Sequence, residues 1–183
     1  MKYLISLYFD EKTNKQIMQY MEAVAKATGN DYMLANNVPP HITVSSFEAQ
    51  EGPESPFIQE LEERISRALE DVKAGEVQWI GCGAFMSSVL YLTPVLNEYL
   101  QIMEARMYDS IAQASEENDI KISKYYRPYE WLPHTTIGKK LNEEELCEAF
   151  RSVQCDFRIL RGKVVRVGLA KASPYEEIKE WKL

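Results

Sequence analysis

One short motif occurs twice in the chain, and its two copies contain the only two histidines. The copies are Pro40-His41-Ile42-Thr43-Val44 and Pro133-His134-Thr135-Thr136-Ile137. Side chains alternate between the two faces of an extended strand, so the histidine and the threonine two places later share one face. Proline lacks a backbone donor and favours an extended conformation in the residue before it, so each copy is expected to begin a strand. The pair therefore predicts two strands that each present an imidazole and a hydroxyl to one cleft.

The length and composition of the chain are those of a globular domain. Its 183 residues are enough to bury a core, and 45% hydrophobic with 27% charged residues is ordinary for such a protein. We expect residues 1–183 to form a single domain made of two lobes. No apolar run approaches the roughly 18 residues that span a bilayer, and residues 3–9 are too few for the core of a signal peptide. The sequence therefore predicts a cytoplasmic protein that does not bind membranes.

Charge is unevenly distributed along the chain. The net charge of −7 argues against a protein whose whole surface binds duplex DNA. Around the second motif, however, residues 121–140 contain five basic residues and one acidic residue, and residues 155–171 have the same balance. A locally basic cleft on an acidic protein suits a small phosphorylated ligand better than a long polyanion. The alternative is that both segments are solvated surface.

The three cysteines are Cys82, Cys147 and Cys155. They form no Cys-x-x-Cys pair, and their odd number does not suit a framework of disulfides, so we expect reduced thiols that are buried for structural reasons. Catalytic zinc usually takes three protein ligands, and neither a His-Glu-x-x-His motif nor a Cys/His cluster supplies them in this sequence. We therefore expect neither a metal nor another cofactor.

Strands are predicted in both halves of the chain, because short runs rich in aromatic and β-branched residues are typical of strands. Met86-Ser87-Ser88 separates two such runs and indicates a hairpin, and Gly162 indicates a turn in the C-terminal region. The predicted strands are residues 3–9, 41–47, 77–85, 89–92 and 134–139, two within 157–170, and a last one at 178–182.

Four helices are predicted from capping residues and from apolar residues at helical spacing. Segments 30–40 and 120–131 are predicted to be irregular, and the order of elements indicates an α+β protein whose halves each carry one motif. The predicted helix starts are Asp10, Ser55 with Pro56, Thr93 with Pro94, and Asn142 in a capping box with Glu145, and Gly29 ends the first helix. The predicted apolar faces are Ile17, Met21 and Val24; Ile58, Leu61, Ile65, Leu69 and Val72; Leu96, Leu100, Met103, Met107 and Ile111; and Leu146, Ala149, Phe150 and Val153.

The paired histidines suit the hydrolysis of a phosphodiester. This reaction needs a base that activates water on one side of phosphorus and an acid that protonates the departing oxygen on the other. Histidine, with a reference pKa of about 6.5, can take either role near neutral pH. The hydroxyls of Thr43 and Thr136 can donate hydrogen bonds to the nonbridging oxygens as negative charge develops there. The symmetry of the motifs leaves open which histidine is the base.

The two motifs resemble the paired H-x-T/S-x motifs of the 2H phosphoesterases, a superfamily that includes bacterial 2′,5′ RNA ligase-like proteins and cyclic phosphodiesterases. The separation of 93 residues between the histidines and the order of predicted elements are also similar to that family. The resemblance implies an α+β fold that is bilobal and pseudo-symmetric, with two antiparallel sheets flanked by helices around a central cleft. It implies a position for Tyr91 at the cleft, and it implies catalysis by His41, Thr43, His134 and Thr136.

Two segments depart from the pattern of the ligase-like members. Ser45-Ser46-Phe47 follows the first motif where those proteins often have an aromatic-Leu-Gly segment, and Lys139 follows the second motif where they often have arginine. Lysine keeps the charge but lacks the bidentate fork of arginine. Strand alternation places Lys139 on the face opposite His134, unless the strand bulges near Gly138. On that condition we predict that Lys139 binds phosphate.

An aromatic segment precedes the second motif. Tyr126 and Arg127 lie in it and are candidates to stack on a base or to hold a phosphate. Packing within a loop explains the same residues without a ligand. Together with Tyr91 and Lys139, these two residues complete the predicted substrate-binding set.

The sequence predicts a metal-independent phosphoesterase that acts on a 2′,3′-cyclic phosphate or on a 2′,5′-linked nucleotide. Its expected partner is a nucleotide, or an RNA end that carries a cyclic phosphate. Two alternatives stay open. One is a module that binds nucleotides or RNA ends without turnover, and the other is a 2′,5′ RNA ligase that runs the reverse chemistry in the same cleft.

Overall fold

A computed structural model describes residues 1–50, 52–115 and 120–183 and has the predicted α+β composition. All strand pairs are antiparallel. The strands are β1 Lys2–Phe9, β2 His41–Glu48, β3 Gly75–Phe85, β4 Val89–Pro94, β5 Lys121–Ile122, β6 Thr135–Lys139, β7 Leu160–Ala172 and β8 Tyr175–Lys182. The helices are α1 Glu11–Thr28, α2 Tyr32–Ala35, α3 Pro56–Leu69, α4 Glu98–Ser115 and α5 Glu143–Asp156, and a 3-10 turn covers Lys124–Tyr126.

Most helix boundaries lie where the capping residues predict them. The side chain of Asp10 accepts a hydrogen bond from the backbone of Thr13 at the start of α1, and Gly29 ends that helix in the left-handed conformation, with φ of 75°. Ser55 caps α3 and is followed by proline at the first position. Both hydrogen bonds of the predicted capping box are present at α5, from Asn142.

The start of α4 differs from the prediction. Thr93 and Pro94 belong to β4, and the helix begins at Glu98. The side chain of Asn97 accepts a hydrogen bond of 2.9 Å from the backbone of Leu100 and so caps the helix four residues later than expected. The physical reason is that Thr93 and Pro94 pair with β3, which keeps this segment extended.

The predicted turn at Gly162 is also wrong, because β7 runs through it as one strand of 13 residues. Gly162 pairs with Val77 and lies against Thr13 of α1. A Cβ atom at this position would be 2.4 Å from the Thr13 methyl carbon. The glycine therefore permits the close approach of helix to sheet rather than a reversal of the chain.

The expectation of two sheets is corrected to one sheet of eight strands, in the order β5-β2-β1-β7-β3-β4-β6, with β8 also paired to β7. The reason is the length of β7. Its residues 164–171 pair with β1, and its residues 160–164 pair with β3, so one strand joins both halves of the sheet. Each half still contributes one histidine motif, through β2 in the first half and β6 in the second.

Helices cover the sheet in pairs, α1 with α5 and α3 with α4. The fully buried Trp79 connects the core to the second motif, since its ring meets Phe9 edge to face at 5.0 Å and its indole N–H donates a 3.0 Å hydrogen bond to Thr135. Among the described residues, no helix is long and apolar enough to cross a membrane.

Other differences from the prediction are local. The short helix α2 lies within a segment expected to be irregular, and so do β5 and the 3-10 turn. All three cysteines are free thiols, as expected, but Cys147 and Cys155 are exposed and only Cys82 is half-buried. Both exposed thiols lie on α5, and Phe150 of the same helix is exposed too, so its predicted place on the apolar face is wrong.

Candidate active site

The structure brings both histidine motifs to one cavity of about 260 Å³. His41 is the first residue of β2, and His134 directly precedes β6. Both imidazoles are half-buried. The threonines of the motifs, Thr43 and Thr136, line the same cavity, as strand alternation predicts.

The two imidazoles are oriented in the same way. Nδ1 of His41 lies 2.7 Å from the carbonyl oxygen of Pro39, and Nδ1 of His134 lies 2.9 Å from the carbonyl oxygen of Leu132. A carbonyl oxygen only accepts hydrogen bonds, so Nδ1 carries the proton in each ring. Nε2 is then unprotonated in the neutral histidine and is available to take a proton from a ligand or a water.

A β-bulge follows each motif threonine. Where β1 pairs with β2, Val44 is the extra residue between Thr43 and Ser45. Where β4 pairs with β6, Ile137 is the extra residue between Thr136 and Gly138. Both bulged residues are buried. Matching bulges at matching positions make the two motif strands structural counterparts, although the rest of the two halves differs in sequence.

The second bulge places Lys139 in the cavity. Without the extra residue, alternation would direct this side chain to the face opposite His134, but the bulge reverses the alternation after Thr136. Lys139 accordingly lines the cavity with the histidines, and its ammonium group lies 6.0 Å from the centre of the Tyr32 ring. The bulge near Gly138, on which the prediction for Lys139 depends, is therefore present.

The hydroxyl of Thr43 is held by two neighbours. Its oxygen lies 3.3 Å from that of Ser6 on β1, and its side chain also hydrogen-bonds to Tyr126, which lines the cavity too. A hydroxyl can accept two hydrogen bonds and donate one. When Ser6 and Tyr126 both donate, the proton of Thr43 is free to point at a ligand.

Aromatic rings pack against both histidines. The ring centres of Tyr8 and His41 are 6.0 Å apart, and His134 meets Phe85 edge to face at 4.8 Å. Tyr91 was predicted at the cleft, but it is buried beside His134, with ring centres 5.6 Å apart, and is not among the lining residues. Its contact is with the imidazole, so it can orient His134 rather than touch a ligand.

Burial keeps both histidines neutral. It is the largest cause that lowers the pKa of His41 to about 4, and the positive charges of His134 and Lys139 lower it further, while the hydrogen bond to Pro39 opposes them. Burial likewise lowers the pKa of His134 from 6.5. At pH 7 the free protein therefore presents two uncharged imidazoles to the cavity.

Several residues of the site are not evident from the sequence. Tyr175 from β8 lines the cavity and its hydroxyl lies 2.7 Å from that of Tyr8. Tyr32 lines it from α2. Ser6 had a weak signal in the sequence, since it is a serine between Ile5 and Leu7 in the middle of β1. The contact of β8 with the site has no local sequence signal.

Arg127, like Tyr91, is a predicted binding residue that does not line the cavity. It is exposed and lines a neighbouring groove instead of the cavity. Within residues 1–50, 52–115 and 120–183, no three His, Cys, Asp or Glu side chains come together in a way that would hold a metal ion.

Comparison with known proteins identifies the fold and the family. The chain superposes along its whole length on Escherichia coli LigT in complex with 3′-AMP, with a TM-score of 0.64, 15% identity and 97% of that chain covered. It does the same on TT0787 of Thermus thermophilus, with a TM-score of 0.65, 14% identity and 98% coverage. At such low identity these matches show the shared fold.

Sequence comparison extends the relationship. A Bacillus licheniformis protein that is provisionally named a phosphoesterase is 25% identical over 146 residues, which are 79% of this chain and 75% of that protein. The profile of the 2′-5′ RNA ligase superfamily matches residues 13–175, which include both histidine motifs. The chain is therefore a member of the 2′-5′ RNA ligase superfamily, and the relationship to the 2H phosphoesterases is confirmed.

Proposed function

We propose that the protein hydrolyses a 2′,3′-cyclic phosphate, or a related 2′,5′-linked nucleotide, by acid–base catalysis with its two histidines and without a metal ion. The observation that carries the proposal is that both imidazoles, each with Nδ1 hydrogen-bonded to a backbone carbonyl, line one cavity. Family membership supports it. The complex of LigT with 3′-AMP is consistent with it, because 3′-AMP is one of the two monoesters that opening of the adenosine cyclic phosphate yields.

In this mechanism one imidazole takes a proton from water as its oxygen attacks phosphorus. The bond from phosphorus to one ribose oxygen breaks, and the second imidazole, protonated at Nε2, gives its proton to that oxygen. The products are a phosphate monoester and a free ribose hydroxyl. The histidines exchange their protonation states in the process and return to the starting state through solvent.

Thr43, Thr136 and Lys139 have the role of stabilising charge in this proposal. The two hydroxyls donate hydrogen bonds to the nonbridging oxygens, and the ammonium group of Lys139 balances the charge that develops on them. The bonds from Ser6 and Tyr126 orient the Thr43 hydroxyl before substrate arrives. Such preorganisation is effective because no reorientation is needed in the transition state.

We assign the base to His41 and the acid to His134. An anionic substrate raises the pKa of both imidazoles. Burial lowers the pKa of His134 and its hydrogen bond to Leu132 opposes that effect, so His134 is the one that takes up a proton. His41 stays neutral because burial opposes its protonation, and the charges of His134 and Lys139 add to that effect. A neutral His41 can accept the proton of water.

We also infer that residues 1–183 work as one domain of two lobes. Lys2, Leu4 and His41 from the first half and His134 and Lys139 from the second line the same cavity, so neither half contains a complete site.

The proposal is tested by incubating purified protein with nucleoside 2′,3′-cyclic phosphates in EDTA and separating the products by chromatography. His41→Gln and His134→Gln should each lower kcat by about 10²- to 10⁴-fold, the usual contribution of an acid or base. Ser173→Ala is a matched control, because Ser173 lines the cavity without a proposed role and should keep full activity. Turnover that survives both histidine substitutions contradicts the mechanism.

A second substrate tests the assignment of acid and base. The leaving group of bis(4-nitrophenyl) phosphate needs no proton, so the acid becomes dispensable. His134→Gln should then keep most of the wild-type rate on this substrate, and His41→Gln should not. The opposite result would reverse the two roles.

A further inference from the structure

A second groove adjoins the cavity at the edge of the sheet, between β2, β5 and the 3-10 turn. It has a volume of about 590 Å³, and we call it the β5 groove. Its basic lining residues are Lys2, Lys121, Lys124 and Arg127, and Glu48 is the acidic residue among the described residues that line it. The chain as a whole has a net charge of −7, so a groove lined by four basic residues and one acidic residue differs in charge from most of the protein.

The β5 groove and the cavity share one lining residue. Lys2 lines both of them. Of two consecutive tyrosines, Tyr126 lines the cavity and Tyr125 lines the groove. The two sites therefore adjoin at Lys2 and at the two tyrosines.

The groove is attached to the strand that carries the first motif. Ile122 pairs with Phe47 of β2, and the backbone N–H of Ser123 donates a 2.8 Å hydrogen bond to the carbonyl of Ser46. At the other end of the segment, the indole N–H of Trp131 donates a 3.0 Å bond to the carbonyl of Thr43. The basic side chains are thus held in a defined position relative to the catalytic threonine.

We propose that the β5 groove binds the nucleotides that precede a 3′-terminal cyclic phosphate, so that the substrate is a short single-stranded RNA rather than a free mononucleotide. This inference rests on the proposed function, which places the terminal phosphate in the cavity. Grooves that bind single strands combine cations for the phosphates with aromatic rings on which bases stack. Tyr125 supplies such a ring, since 68% of it is exposed and the Lys124 ammonium group lies 5.2 Å from its centre.

Ribose chemistry selects RNA over other polyanions. A 2′,3′-cyclic phosphate requires the 2′-hydroxyl, so a strand whose end enters the cavity is RNA. An acidic peptide would match the charges of Lys121, Lys124 and Arg127, but it would supply neither the cyclic phosphate nor the flat bases that an exposed tyrosine recognises.

The test measures binding of a fluorescein-labelled RNA pentanucleotide with a 3′-phosphate, by fluorescence anisotropy at several salt concentrations. The variant Lys121→Gln/Lys124→Gln/Arg127→Gln neutralises three exposed groove cations. The matched control neutralises two lysines and one arginine that are equally exposed but lie outside both the groove and the cavity, in Lys26→Gln/Lys73→Gln/Arg151→Gln. Both variants change the net charge by the same amount.

We expect the groove variant to bind the pentanucleotide at least about tenfold more weakly than wild type. The slope of log affinity against log salt concentration should become smaller by about 2, since each of three lost phosphate contacts contributes roughly 0.7. The control should stay within about twofold of wild type. Tyr125→Ala should weaken binding about fivefold or more, in line with the loss of one stacked base. Equal loss in the groove variant and the control overturns the proposal, as does equal competition by polyglutamate of matched charge.

The binding measurement does not depend on turnover. If nucleoside cyclic phosphates are not hydrolysed but the groove variant loses RNA affinity, the proposed function is refuted and RNA binding by the β5 groove is supported. If they are hydrolysed and the groove variant binds RNA like wild type, RNA binding by the β5 groove is refuted and the proposed function is supported. The groove variant should hydrolyse nucleoside 2′,3′-cyclic phosphates at the wild-type rate, because its three residues lie outside the cavity.

Discussion

The low pKa of His41 makes the stability of the protein depend on pH in a way that can be calculated. Folding lowers this pKa from 6.5 to about 4, chiefly by burial. The unfolded chain therefore takes up the proton near pH 6.5 and the folded protein near pH 4, and between these values the unfolded state binds more protons. The contribution of His41 to the free energy of unfolding is complete above about pH 6.5 and is lost as the pH falls toward 4.

The magnitude follows from the difference between the two pKa values. One pKa unit corresponds to about 1.36 kcal/mol, so the change amounts to about 3 kcal/mol. This figure is an upper limit, because His41 is only half-buried and water reaches part of the ring. Against a typical total of about 5–15 kcal/mol, the loss is readily measured.

The perturbation is His41→Asn, which removes the titrating group. Urea unfolding of wild type and variant at pH 7, 6, 5 and 4 gives the free energy of unfolding at each pH. Other groups titrate in both proteins, so the difference between the two curves isolates His41. Between pH 7 and pH 4, the free energy of unfolding should fall by about 2–3 kcal/mol less in the variant than in wild type.

Proton NMR provides an independent measurement. The chain has only two histidines, so only two imidazole Hε1 signals are expected, and the variant assigns them by the loss of one. The His41 signal should titrate near pH 4. Titration of His41 at or above pH 6.5, together with parallel stability curves for the two proteins, would refute the reasoning about burial.

Three further predictions concern other parts of the molecule. Lys139→Gln should raise KM for a cyclic phosphate about tenfold, the cost of one charged hydrogen bond, and an unchanged KM would exclude contact with phosphate. Glu104 is buried with an unpaired carboxylate oxygen, and burial raises its pKa to about 7, so its contribution to stability is present below pH 4.5 and lost as the pH rises through 7. In urea unfolding, Glu104→Gln should therefore stabilise the protein by up to about 3 kcal/mol at pH 8 and hardly at pH 4, and a loss of stability at pH 8 would contradict this. Trp79→Phe should lower the free energy of unfolding by about 1–3 kcal/mol, because it leaves the buried hydroxyl of Thr135 without its donor. Trp181→Phe should lower it by less than about 1 kcal/mol, because the indole of Trp181 bonds to an exposed serine. Equal losses on thermal unfolding would show that the buried hydrogen bond contributes no more than the exposed one.

The sequence predicts much of the fold because the signals are local. Asp10, Ser55 and Asn142 cap helices through bonds to residues three positions away, so a short window of sequence contains the whole interaction. Gly162 shows where such reasoning fails. A glycine in a strand fits either a turn or a close approach, and only the position of α1 over the sheet decides between them.

The candidate site shows the same division. The alternation of side chains along a strand is a property of neighbouring residues, so the sequence alone determined that His41 and Thr43, and His134 and Thr136, share a face. The position of Lys139 depends on whether an extra residue is inserted opposite Leu90, which is a property of the partner strand.

What the sequence by itself determined is the content of the two motifs, most of the helix boundaries and the α+β class. Tertiary structure decided that β7 joins both halves into one sheet, that Ser6 and Tyr126 hold the Thr43 hydroxyl, and that Arg127 lies in the neighbouring groove. It also decided the low pKa of His41, because that value depends on how much water the packed chain excludes. Periodicity and capping act between residues close in sequence, whereas register, burial and charge proximity arise between residues far apart in the chain.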